Sequence, residues 1–188
     1  FYERREIKDL LAYLRVISNP FDSEAVTRIV NVPKRGIGAK TVETLEAYAA
    51  ANDLSVYDAV LDVDLLPLTA SAKQRVRAFG SLLKELVIKG AEEGADELIR
   101  DVINDSGILS MYADDSDESI NKKANIDEFV NSVDEFCKLN QGATLADFLN
   151  QVTLSSDTDE MDESDYVTVA TIHSVKGLEF KTVFIVGM

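Results

Sequence analysis

Residues 30–48 read V-N-V-P-K-R-G-I-G-A-K-T-V-E-T-L-E-A-Y, and the fold is organised around them. At their centre is Gly36-Ile37-Gly38. Glycine takes φ > 0 at little cost, so two glycines around one apolar residue close a hairpin that side-chained residues close less easily. An amphipathic run precedes the hairpin and a helix-forming run follows it. Ile37 is expected to plug the gap between the two helices. The amides of Gly38, Ala39 and Lys40 then open a helix, unpaired and facing outward. Such amides form an anion site, and bare glycine backbone lets a phosphate come close. Lys34, Arg35 and Lys40 surround the turn with positive charge. The stretch reads as a helix-hairpin-helix element that grips a nucleic-acid backbone. On these residues alone, an ordinary helix-turn-helix corner with solvated lysines stays open.

The chain has 188 residues, 46% of them hydrophobic and 28% charged. That suits one domain, or one domain and a piece of another, with material for a real core. No apolar run approaches a bilayer-spanning length and no signal peptide opens the chain. The single cysteine, Cys137, rules out an internal disulfide and falls on an apolar helix face as a small core residue. The lone histidine, His173, excludes a multi-histidine metal site. No metal ligand set is expected, and a cytoplasmic home fits the cysteine usage. The opening residue is Phe1 with no methionine before it, which reads as a piece cut from a longer protein.

The net charge of −15 argues against a nucleic-acid partner until its distribution is read. Residues 1–40 hold eight Lys or Arg against five Asp or Glu, whereas residues 41–170 hold nine against 28. Screening over about 8 Å at physiological salt makes the local sign matter more than the total. The acidic bulk should still weaken non-specific binding.

Helical periodicity organises most of the chain. Residues 3–18 place Ile7, Leu10, Leu11, Leu14 and Ile17 on one stripe, with Glu6 and Asp9 among the residues on the other faces. Asn19-Pro20 stops that helix. Asp22 or Ser23 caps a short helix over 24–31, and Pro33 breaks it ahead of the hairpin. Further helices are expected at 39–51, 55–61, 70–89, 95–104, 120–139 and 145–154, with a short apolar turn from Ile108 to Tyr112. Gly90 and Gly94 are read as punctuation between two of them. Residues 113–119 read as an exposed acidic loop without the glycine and terminal glutamate of a calcium loop. Residues 155–165 carry six acids and no base, and read as an extended linker. The pattern then changes. Residues 166–172 alternate as a strand, and residues 182–186 are nearly all apolar, as in a strand buried on both faces of a parallel sheet.

Between those strands lies T-I-H-S-V-K-G-L-E-F-K, residues 171–181. Loops at the carboxyl ends of sheet strands are where α/β proteins place ligand-contacting residues. With V-F-I-V-G-M after it, this run closely resembles motif V of the superfamily-one DNA helicases of the UvrD/PcrA/Rep type. The opening F-Y-E-R-R-E-I-K-D-L-L-A-Y-L-R-V-I-S-N-P resembles the segment that enters their accessory 2B subdomain. N-V-P-K-R-G-I-G-A-K-T resembles its duplex-contacting turn, and D-V-I-N-D-S-G-I-L-S-M-Y with the N-I-D-E-F helix follows in the same order. The resemblance implies a mainly α fold. Residues 1–164 would form a helical 2B-like accessory subdomain, and residues 165–188 would begin a RecA-like α/β motor domain with two β-strands.

The family resemblance also implies ATP-driven 3′-to-5′ unwinding of DNA, with ATP and Mg²⁺ as cofactors of the whole protein. Gly36, Ile37, Gly38 and Lys40, with Lys34 and Arg35, would hold the duplex. Thr171, His173 and Lys176 would lie on the single-strand side, and Gly177 and Glu179 on the nucleotide side. Partners would be double- and single-stranded DNA, the motor domains of the same chain, and repair or transcription proteins. The chain contains no G-x-x-x-x-G-K-[ST] phosphate loop, no magnesium-binding acidic motif and no identifiable arginine finger. No catalytic residue is therefore assigned to it. Three rivals stay open: a stand-alone helix-hairpin-helix module, a docking or autoinhibitory module whose acidic surface meets a basic partner, and part of a helicase–nuclease.

Overall fold

The computed structural model of the chain describes residues 1–159 and Phe184. The expected strand at 166–172, linker residues 160–165 and all of the expected strand at 182–186 except Phe184 lie outside the described residues. What is described is helical, with no strand. Eight α-helices follow in order: α1 Arg5–Ser18, α2 Ser23–Ile29, α3 Ala39–Asn52, α4 Val56–Leu61, α5 Ala70–Glu92, α6 Ala95–Ser106, α7 Asp117–Leu139 and α8 Leu145–Asp159. Two 3₁₀ turns, Val63–Leu65 and Ile108–Tyr112, complete the series.

α1 is the hub. It packs against α2, α5, α6, α7 and α8. Ile7, Leu10, Tyr13, Leu14 and Val16 lose all their exposure there. Neighbours on so many sides also cover the face that the periodicity assigned to solvent. Glu6 and Asp9 retain only 4% and 2% of their exposure, contrary to expectation. Buried carboxylates are costly unless they are partnered. Arg28 of α2 meets Asp9 Oδ1 with Nε at 2.9 Å and Nη2 at 2.8 Å. Asn125 of α7 donates to Glu6 Oε1 at 2.7 Å. These pairs turn the polar face of α1 into joints with its neighbours. Phe129 and Phe136 of α7 close on Phe148 of α8, with ring centroids 6.0 and 5.4 Å away.

Several boundaries move for identifiable reasons. α7 begins at Asp117, shortening the expected acidic loop, because Ser116 accepts from the Ser119 amide at 3.2 Å. Asp117 and Glu118 then sit in the first turn, where the helix dipole favours negative charge. α8 runs to Asp159, so residues 155–159 are helical, not the start of an extended linker. No glycine or proline interrupts that run. Gly90 is not punctuation. It lies inside α5, where a β-carbon would overlap the Ile17 side chain of α1. A bare backbone at that point lets the two helices approach.

Gly90→Ala tests this approach. Alanine gains about 1 kcal/mol of helix propensity, but overpacking against the stiff Ile17 typically costs about 1–3 kcal/mol. A net loss of stability is expected in urea unfolding. In an Ile17→Ala background the same change should become neutral or stabilising. An equal loss in both backgrounds would refute the contact.

Candidate nucleic-acid interface

Between α2 and α3 the chain makes the hairpin that the sequence singles out. α2 is capped by Asp22, whose Oδ1 accepts from the Ala25 amide at 3.0 Å, and it ends at Ile29. The Asn31 side chain then folds the loop back. Its Oδ1 accepts from the Arg35 amide at 2.7 Å and from the Ile37 amide at 3.4 Å. Gly36 has φ +71°, the left-handed conformation that glycine adopts readily. Gly38 does not share it. With φ −76° and ψ 167° it is an extended N-cap residue that any side chain would accommodate. The expectation of positive φ therefore holds at one glycine of the pair.

Ile37 is 3% exposed and plugs the hairpin as expected. Its side chain faces the core, so its part in any DNA contact is to hold the turn rather than to touch phosphate. Arg35 departs furthest from expectation. Its guanidinium turns inward rather than towards ligand. Nη1 lies 3.0 Å from Ile29 O, 3.4 Å from Val30 O, 3.0 Å from Val32 O and 3.3 Å from Pro33 O. Nη2 donates to the Tyr13 hydroxyl at 2.6 Å, which itself donates to Val32 O at 2.5 Å. The guanidinium carbon sits 5.1 Å above the Phe79 ring of α5. A helix end leaves carbonyls without partners, and a cation there satisfies both their lone pairs and the dipole. Burial pushes the Tyr13 hydroxyl pKa above its ordinary value, against the opposing pull of Arg35.

The outer surface of the turn has different properties. No side chain caps α3. Among the described residues, the amides of Gly38, Ala39 and Lys40 find no protein acceptor. A β-carbon built at Gly38 meets nothing within 4 Å, so the approach to these amides is open. Lys34 and Lys40 are exposed and form no ion pair among the described residues. Arg75 of α5 reaches the same turn, with Nη1 donating to Gly36 O at 3.0 Å. The sequence reading missed Tyr13, Asn31, Phe79 and Arg75. Three of them serve through tertiary contacts that periodicity does not report, and Asn31 passes for an ordinary loop residue.

Thr171, His173, Lys176, Gly177 and Glu179 lie outside the described residues. Among the described residues, no three His, Cys, Asp or Glu gather as metal ligands, and no helix is long and apolar enough to cross a membrane.

Three substitutions test this geometry by chemical unfolding. Gly36→Ala forces a side chain into the left-handed region and should lose about 1–2 kcal/mol. Gly38→Ala changes only an extended N-cap and should lose about 0.5 kcal/mol. Tyr13→Phe strips Arg35 and Val32 of a shared partner and should lose about 1–3 kcal/mol. Equal effects at the two glycines would contradict the turn described.

The whole chain, residues 1–188, matches the model of the UvrD-like helicase C-terminal domain. It is 38% identical over 196 residues to the ATP-dependent DNA helicase PcrA of Bacillus subtilis (strain 168). It is 40% identical over 192 residues to the protein of that name in Staphylococcus epidermidis, and 39% identical over 192 residues to that of Staphylococcus aureus. Each match covers 100% of this chain and 26% of the relative, so the chain spans about a quarter of the length of these helicases. With its described residues helical and its sequence matched over residues 1–188, this chain is a member of the UvrD-like helicase C-terminal domain family.

Proposed function

We propose that this chain is the accessory segment of an ATP-dependent DNA helicase of the UvrD/PcrA type. In this reading the α2–α3 hairpin holds duplex DNA by its phosphates while motor domains of the same protein draw one strand away. The observation that carries it is the open N-terminus of α3. Gly38, Ala39 and Lys40 present uncapped amides there, next to the unpaired Lys34 and Lys40. Backbone amides and point charges of this kind position a protein on a duplex without reading its sequence. Arg35 and Ile37 serve by keeping the turn in shape. The α2–α3 unit would then act as a helix-hairpin-helix.

On the same reading, residues 1–164 correspond to the accessory 2B-like subdomain and residues 165–188 open the second RecA-like motor domain with two strands. Thr171, His173 and Lys176 would face single-stranded DNA. Gly177 and Glu179 would lie on the nucleotide side, facing ATP when it is bound. The setting would be cytoplasmic, with the other motor domain and repair or transcription proteins as partners.

Duplex binding by the chain should be weak and without sequence preference, near the ~10⁻⁴ M end of the non-specific range. Lys40→Ala should lower the salt slope by about 0.9 if one phosphate contact is lost. Gly38→Val should leave the extended backbone unstrained yet block the approach of a phosphate, and so abolish most of the binding. Folded variants that both bind like the parent across a salt series would remove the hairpin from the DNA interface. The 188-residue chain alone should also show no ATP turnover with or without single-stranded DNA, since it carries no phosphate-loop motif. Turnover above background in a preparation free of other helicases would overturn that expectation.

A further inference from the structure

We propose that Arg75 of α5 is a further phosphate-contacting residue, so that the hairpin and the N-terminal half of α5 grip neighbouring phosphates together. This inference rests on the hairpin reading above and extends it to a second helix. Its first support is a charge pattern. Residues 41–170 hold 28 acids against nine bases, yet residues 70–83 hold Lys73, Arg75 and Arg77 and no acid at all. Two of these bases bond to Asp64 rather than to the turn. Lys73 Nζ donates to Asp64 O at 2.9 Å, and Arg77 pairs with the Asp64 carboxylate at 2.5 Å. Arg75 is exposed and makes no ion pair among the described residues.

The second support is geometric. Arg75 belongs to another helix, yet its guanidinium lies over the turn. Nη1 holds Gly36 O at 3.0 Å, and Nε would be 3.3 Å from a β-carbon at Gly36. A guanidinium has five N–H donors in a planar fork, and one bond to a carbonyl leaves the others available. That fork matches a phosphate in bidentate fashion. A side chain already fixed by one hydrogen bond loses less rotamer freedom when it binds. Arg75 is thus a pre-positioned cation held on Gly36, two residues before the first of the open amides, and glycine at position 36 leaves it room.

The test uses the intact protein that carries these residues, with fluorescence anisotropy on a blunt duplex and on single-stranded DNA across a salt series. Arg75→Ala should weaken duplex binding roughly three- to fivefold, the scale of one exposed ion pair. It should lower the salt slope by about 0.9 and leave single-strand binding unchanged. Arg75→Lys keeps the charge and should restore the slope. If Arg75 only staples Gly36 in place, affinity falls with the slope unchanged, and the proposal is overturned. It is also overturned if Gly38→Val and Lys40→Ala weaken duplex binding while Arg75→Ala does not, an outcome that leaves the hairpin reading standing. If all three variants bind duplex like the parent, the hairpin reading fails and this inference fails with it.

Discussion

The Arg35 guanidinium holds the hairpin to the rest of the molecule. A short helix ends at Ile29, and its last carbonyls would otherwise point into the space that the turn encloses. Arg35 fills that space with a cation shared among four backbone oxygens, the Tyr13 hydroxyl and the Phe79 ring. One side chain therefore joins the loop to α1 and to α5. Leaving several polar groups half-buried and unpaired would cost more than any single hydrogen bond contributes. The network is satisfied as a unit, and its loss would release the turn as a unit.

This anchoring matters because α3 gains little from its own burial. Only Leu45 and Ala49 of that helix are buried. Its start is placed by what lies beneath it: the Ile37 plug, the Asn31 side chain that folds the loop back and the left-handed Gly36. Those contacts leave the amides of its first turn facing outward on a firm base. Rigid placement of donors lowers the ordering cost when an anion arrives. The hub helix supplies the rigidity. α1 meets five other helices, and its buried Asp9 and Glu6 are each partnered from a different one.

The acidic majority of the chain is compatible with a cationic contact surface because the charges are segregated. Within the body, Lys89 pairs with Asp101 and Asp105, and Arg100 pairs with Asp134. Lys34, Lys40 and Arg75 form no ion pair among the described residues. Net charge then governs solubility and long-range repulsion, while the close-range contact depends on the cations placed at the turn.

Local patterning alone was enough to make the body helical. Apolar residues at helical spacing located each helix, because that signal is carried by neighbours in the chain. Asp22 was legible as one of two candidate caps for the same reason, since its side chain bonds to the amide three residues on. The order of motifs was legible too, and it pointed to the helicase family. Tertiary structure alone decided which polar residues lie inside. Glu6 and Asp9 are buried only because other helices cover them. Gly90 is an approach point only because Ile17 of α1 faces it. Arg35 carries the same charge as Lys34 and Lys40 in the sequence, yet it folds inward because carbonyls, a hydroxyl and an aromatic ring from three separate segments converge on it. Such convergence has no period along the chain, and so no stretch of sequence could report it.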